Sequence, residues 1–279
     1  MTVLNNWITH NLHERFSNPA VDLEINFSPY EFIPMSFHSA ADFNAIKIAE
    51  KYSKIFLSFS GGADSDYVFH CFQRNNIKFT PIIVKTNFNS FELSYAFHTC
   101  RKFNVEPIVL ELNDKDYMFI YKNDIVDSIC SAGIAAIPGI IACRYAKEHD
   151  GILVIGEHMI DNDNTNIWPG VNDWDYYNEI FVGEDDNIPF FNYTVEMAWA
   201  MINSIEQMPI DEWKWKTYEI DFRPKINYNF SNLFEDLRRT IYKTRKHNPK
   251  TNINLGSKEN FLNMLLPYAE KDKYKKRIS

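Results

Sequence analysis

Ile55-Phe56-Leu57-Ser58-Phe59-Ser60-Gly61-Gly62-Ala63-Asp64-Ser65 runs from an apolar stretch of strand length into a turn built on two adjacent glycines. The helical pattern Tyr67-Val68-Phe69-His70-Cys71-Phe72 follows at once, so the turn joins a strand to a helix. In an α/β protein such a turn binds phosphate. Paired glycines leave no Cβ between the backbone N–H groups and an anion, and the positive end of the helix dipole points the same way. Ser60 and Ser65 add hydroxyl donors, and Asp64 adds a carboxylate suited to a phosphate-bound Mg²⁺. No G-K-[ST] follows the glycines, which excludes a Walker-type loop.

Outward from this turn, apolar runs of strand length alternate with helical patterns. Residues 79–85, 107–112 and 151–155 read as strands. The helical patterns run from Asp64 to about Asn75, through Leu93, Ala96 and Cys100, and over residues 116–149 with a break at Pro138-Gly139. Strands apolar on both faces and separated by helices predict a doubly wound α/β fold, its parallel sheet covered on both sides. Such sheets bind ligands beyond the carboxyl ends of their strands, where strand order reverses. Upstream, residues 22–37 alternate as a half-buried strand does, and Ser39 is the expected cap of a helix reaching Tyr52.

The hexapeptide has the form S-G-G-x-D-S and resembles the pyrophosphate loop of the ATP pyrophosphatase (PP-loop) superfamily. The loop with its strand and helix matches closely, and residues 50–160 match in layout. The resemblance implies an adenine nucleotide alpha-hydrolase-like fold and an enzyme that cleaves ATP to AMP and pyrophosphate, with Mg²⁺, to activate an acceptor oxygen as an adenylate. Amidation as in asparagine synthetase, or thiolation-type modification of a nucleobase or tRNA, would then follow. A nucleotide-binding module without turnover is the reading from another class.

The resemblance also assigns residues. Ser58, Ser60, Gly61, Gly62, Ala63, Asp64 and Ser65 would hold the pyrophosphate, Lys85 and Thr86 the adenine and ribose, and Gly156 the nucleotide edge. Asp64 and Glu157 are the expected catalytic and metal-binding acids, Glu157 being otherwise a solvated acid at a loop start. Arg223 and Lys225 are the expected remote ligands of the β- and γ-phosphates, since relatives bring a basic residue from beyond the core.

Acceptor and donor are less legible. Residues 1–50 are too short for a glutaminase domain, and Thr2 stands where its nucleophilic cysteine would be, so any ammonia is expected from solution or a partner, an external sulfur donor being the alternative. Four cysteines form no C-x-x-C pair and read as buried thiols, Cys130 being the candidate sulfur carrier. No cysteine follows Cys143, which counts against sulfonucleotide reduction and a C-terminal zinc site.

Four segments are expected: an extension over 1–50, the ATP-binding core over 51–160, an insertion and helix over 161–222, and a basic helical extension over 223–279. The insertion superficially resembles a calcium loop, but Asn166 stands where glycine is needed and Asn172 where the bidentate glutamate is. It is either a lid over the acceptor or an aromatic segment packed on the body. Residues 189–207 read as a helix. The last segment has 14 Lys and Arg against 5 Asp and Glu, a net of +9 in a chain of net −8. It could grip an RNA backbone or pack on the acidic body. With no signal-like start and no apolar run long enough for a bilayer, the expected setting is cytoplasmic, without a membrane partner.

Overall fold

In a computed structural model of the chain, the described residues are 2–5, 8–10, 23–27, 32–86, 89–120, 137–156, 187–204, 210–219 and 251–253. The first strands are β1 (Thr2–Asn5), β2 (Ile8–His10) and β3 (Leu23–Phe27), paired antiparallel in that order. The expected extended stretch at 22–37 is thus a strand over its first part. Helix α1 (Phe37–Lys51) follows, and its N-cap is Ser36, not Ser39. Ser36 Oγ accepts from Ser39 N at 3.3 Å, so the earlier of two serines three apart takes the cap.

Next come β4 (Ile55–Ser58), α2 (Ala63–Arg74), β5 (Thr80–Lys85), α3 (Ser90–Lys102) and β6 (Ile108–Glu111). They are followed by α4 (Asp114–Ile120), α5 (Ile137–Glu148), β7 (Ile152–Ile155) and β8 (Asn187–Pro189). A 3₁₀ turn (Phe190–Asn192), α6 (Val195–Ser204), α7 (Ile210–Tyr218) and β9 (Thr251–Ile253) complete the described elements.

Strands β4 to β8 form a five-stranded sheet in the order β6-β5-β4-β7-β8, every pairing parallel. The chain moves outward from β4 through β5 to β6, then returns to the other side of β4 for β7. Strand order therefore reverses between β4 and β7, and it is beyond the carboxyl ends at such a reversal that α/β sheets bind ligands. The expected α/β architecture is present, with one more strand than the sequence reading counted. The segment read as a helix from Pro189 instead begins as β8 and a 3₁₀ turn, and only then becomes α6. Three residues ending in proline are too few for any periodicity to show. Pro189 terminates the strand at the sheet edge, the position in a sheet where proline is tolerated.

Pro138 and Gly139 lie within α5, which runs through them from Ile137 to Glu148; the stretch before Ile137, on which the expected break depends, lies outside the described residues.

The sheet divides two apolar layers by alternation. Ile55, Leu57, Phe59, Ile83, Ile152 and Val154 belong to one large core with α1, α2 and α6. Phe56, Ile82, Val84, Leu153 and Ile155 are buried outside that core, and α5 lies against β4, β5 and β7. Two-sided burial is why these strands read as continuous apolar runs. Helix α1 packs against α2 and α6 with Phe37, Ala40, Ala41, Ala45 and Ile48 buried, so it shares the core of the sheet it precedes.

The C-terminal region was expected to be helical, and its one described piece is a strand. β9 pairs parallel with β3, in the four-stranded sheet β1-β2-β3-β9. The helices expected from Ser231 and over 261–268 lie outside the described residues, as does the insertion from 158 to 186. No helix among the described residues is long and apolar enough to cross a membrane.

Candidate functional site

The loop begins where the ladder of β4 ends. Phe59 N still donates to Ile82 O at 2.9 Å, and Ser60 then leaves the sheet. Gly61 has φ +81°, and a Cβ there would stand 2.7 Å from both Ala96 N and Glu92 O of α3. Glycine is therefore required twice, for the left-handed backbone and for the approach to a neighbouring helix. Gly62 is the N-cap of α2 and uses no side chain to cap it. The serines do not serve as caps. Ser60 Oγ accepts from Gly62 N at 3.2 Å, Ser65 Oγ donates to Gly62 O at 3.2 Å, and the two hydroxyls are 3.3 Å apart. Both hydroxyls thus face the same turn as the first amides of α2, the arrangement an anion takes at a helix N-terminus.

Two acids occupy the first turn of α2, and the structure separates their roles. Asp66 is buried; it accepts from Thr99 Oγ1 at 2.9 Å and stands 3.5 Å from His70 Nε2, so it ties α2 to α3. Asp64 turns instead toward α7. Lys214 Nζ lies 2.5 Å from Asp64 Oδ2, and Tyr218 donates its hydroxyl to Asp64 Oδ1 at 2.8 Å. Lys214 and Tyr218 are four apart, so one face of α7 brings both to the carboxylate.

Helix α7 is itself anchored. Trp213 is buried with Nε1 donating to Ser204 O at 2.9 Å, and Tyr218 stacks on Tyr67 at 4.6 Å between ring centroids. Phe191 and Phe37 complete the stack around Tyr218. Burial first, and the Asp64 carboxylate second, raise the Tyr218 hydroxyl well above its ordinary range, so it remains a donor.

Gly156 ends β7 against the loop. A Cβ there would stand 2.8 Å from Ser65 N and 2.9 Å from Asp64 C. Its glycine is demanded by contact with α2. Thr86 follows β5 and is 3% exposed; its N–H donates to Asn89 Oδ1 at 2.8 Å, and its Oγ1 is buried with no hydrogen-bond partner among the described residues. Lys85, expected beside Thr86 at the nucleotide, pairs with Glu111 of β6 at 2.7 Å, and this bond holds the Glu111 carboxyl below its ordinary range. Ser58 is the last residue of β4, and Ala63 opens α2. Glu157, Arg223 and Lys225 lie outside the described residues.

A carboxylate at the positive end of a helix is a hard oxygen donor of the kind Mg²⁺ takes, so Asp64 fits that ion in chemistry, with Lys214 and Tyr218 now on its two oxygens. Among the described residues, no group of three or more His, Cys, Asp or Glu could hold a metal by itself. Cys71, Cys100 and Cys143 are buried, and none is in a disulfide among the described residues. Burial pushes Cys71 up strongly, and burial followed by Asp66 pushes Cys100 up to about 11, the opposite of an activated sulfur carrier. Cys130 lies outside the described residues.

Lys214 and Tyr218 escaped the sequence reading, which found only alternation of uncertain structure in Asp211-Glu212-Trp213-Lys214-Trp215-Lys216. A lysine and a tyrosine at helical spacing beside a core tryptophan were the available signal. Nothing in that signal names Asp64 as the partner.

No protein-family model matches the chain, and no curated protein does. Among solved structures it is similar to an NH3-dependent NAD synthetase from Campylobacter jejuni in complex with nitrate, at 15% identity and TM-score 0.38, over 86% of this chain and 97% of that one. It is also similar to an NMN synthetase from Francisella tularensis, at 12% identity and TM-score 0.39, with the same coverage. A third is a predicted subunit of a tRNA methyltransferase from Methanocaldococcus jannaschii, at 11% identity and TM-score 0.34, over 60% of this chain and 86% of that one. In its loop motif, and in the parallel α/β sheet that presents it, this chain resembles the PP-loop ATP pyrophosphatase superfamily.

Proposed function

We propose that the chain is an ATP-dependent enzyme that cleaves ATP to AMP and pyrophosphate and activates an acceptor oxygen as an adenylate. One observation carries this reading. The S-G-G-x-D-S loop lies at the reversal of strand order, with a lysine from a distant helix on its aspartate. An acceptor oxygen attacks the α-phosphorus, the bond to the pyrophosphate oxygen breaks, and the charge growing on the leaving group meets donors set along it. The amides of Gly61 and Gly62 and the hydroxyls of Ser60 and Ser65 are those donors in this proposal. Asp64 would hold Mg²⁺, which neutralises phosphate charge when bound.

Lys214 joins Arg223 and Lys225 as a basic group from the C-terminal half for the β- and γ-phosphates. The buried Thr86 hydroxyl, without a hydrogen-bond partner among the described residues, suits a polar atom of the nucleoside. Ammonia or a sulfur species from solution or a partner then displaces AMP from the adenylate.

Incubation with ATP, Mg²⁺ and separate acceptor pools, followed by chromatography of the nucleotides, tests the reading. Carboxylates with ammonia form one pool, and undermodified tRNA with a sulfur donor another. AMP and pyrophosphate are expected, and the pool that releases them names the acceptor class. ADP as the main product overturns the proposal.

A further inference from the structure

We propose that Lys214 is a resident counter-cation of Asp64 that keeps divalent metal off the loop until a phosphate draws it away. The inference rests on the reading of the loop as a nucleotide site and adds to it a device that couples metal to anion. Both Asp64 oxygens are engaged by one helix, Oδ2 by the Lys214 ammonium at 2.5 Å and Oδ1 by the Tyr218 hydroxyl at 2.8 Å. The pair is not a loose surface bridge, since the Lys214 side chain is 12% exposed and that of Asp64 23%. In such a setting water screens little of the attraction.

A divalent ion approaching Oδ2 meets an ammonium already in place, and the two cations repel at short range. The helix cannot swing aside to relieve this. Trp213 and Tyr218 hold it in the core on either side of Lys214, the first by its bond to Ser204 O and the second by its stack on Tyr67. What remains free to move is the flexible stem of the lysine itself. Once off Asp64, an ammonium so little exposed needs another anion. A phosphate on the Gly61-Gly62 turn supplies one within the same site. Metal and anion then bind together, and metal alone binds poorly. Tyr218 differs because it is neutral and can remain beside a metal-bound carboxylate.

Binding of Mn²⁺ to the full chain, followed by the electron paramagnetic resonance signal of the free ion and corrected for the Mn²⁺ that each anion takes up in protein-free controls, tests this. Wild type is expected to take up Mn²⁺ weakly alone and at least tenfold more tightly with ATP or inorganic pyrophosphate. Lys214→Met, which keeps the stem and removes the charge, should bind Mn²⁺ alone at least tenfold more tightly than wild type. Lys214→Arg should restore the exclusion, and Asp64→Asn added to Lys214→Met should abolish the gain. Equal Mn²⁺ affinity in wild type and Lys214→Met overturns the proposal. So does wild-type Mn²⁺ binding as tight without an anion as with one, a measurement that needs no variant to fold. If ATP binds neither protein while inorganic pyrophosphate still tightens Mn²⁺ binding to wild type and Lys214→Met still gains Mn²⁺ at Asp64, the nucleotide reading fails and the counter-cation stands.

Discussion

Gly156 lies against Ser65 so closely that a Cβ on the glycine would stand 2.8 Å from the serine's backbone nitrogen. The ends of β7 and of the loop after β4 are thus one packed unit. Backbone, unlike the far end of a side chain, cannot turn aside. Gly156→Ala should therefore push α2 and the loop from the β7 edge and destabilise the fold by about 1–3 kcal/mol, the cost of overpacking a tight contact. Denaturant unfolding measures it, and an unchanged midpoint would show that the two ends yield freely.

ATP with Mg²⁺ should stabilise the protein, by about 2.7 kcal/mol at a hundredfold excess over Kd. Asp64→Ala and Ser65→Ala should each remove most of that gain, since one deletes the carboxylate at the loop and the other a hydroxyl on it. Asp64→Ala should also lower stability without ligand, because it leaves Lys214 and Tyr218 without their acceptor. Thermal shifts with and without nucleotide separate the two effects, and a full nucleotide shift in both variants would refute the site.

Trp213→Ala should cost about 3–5 kcal/mol, as for a large aromatic removed from a core. The tryptophan is 1% exposed and fastens α7 through Ser204 O. Loss of nucleotide binding together with stability is expected, because Lys214 rides on the same helix. A variant that binds ATP normally would show that α7 does not position the site.

Stability should fall as pH rises from about 9 to about 11. Cys100 is held up to about 11 in the folded state, by burial first and by Asp66 second, whereas an unfolded thiol titrates near 9.0. Over that window the unfolded chain releases a proton that the folded chain retains, so unfolding gains; below it the contribution is fully present. Cys100→Ala should flatten part of the fall, by at most about 2.7 kcal/mol. A pH profile of the unfolding free energy for both proteins decides it.

Replacing Arg238, Arg239, Lys243, Arg245 and Lys246 with neutral residues should lower the melting temperature and leave tRNA affinity unchanged. Strand β9, in the same C-terminal segment, pairs with β3 of the N-terminal sheet, and this pairing favours a structural role for the segment. If the charges grip RNA instead, log K against log salt should fall at about −0.7 per phosphate neutralised and flatten in the variant.

The sequence by itself determined the elements whose signal is local. The apolar runs of β4, β5 and β7 are continuous because both faces of the sheet are covered, and the turn chemistry of Ser60 to Ser65 is written in adjacent residues. Strand β8 escaped because three residues carry no period, and the capping of α1 by Ser36 because two serines three apart read alike. Only the tertiary structure decided what Asp64 touches. Lys214 and Tyr218 stand 150 and 154 positions away, and helical spacing says which residues share a face but never what that face meets. It likewise assigned Gly156 to contact with Ser65 and bound Lys85 to Glu111, since cross-strand register places those side chains together. A local code sets the strand, the turn and the helix; the partners of a charge are set by how those elements pack, which no window of sequence contains.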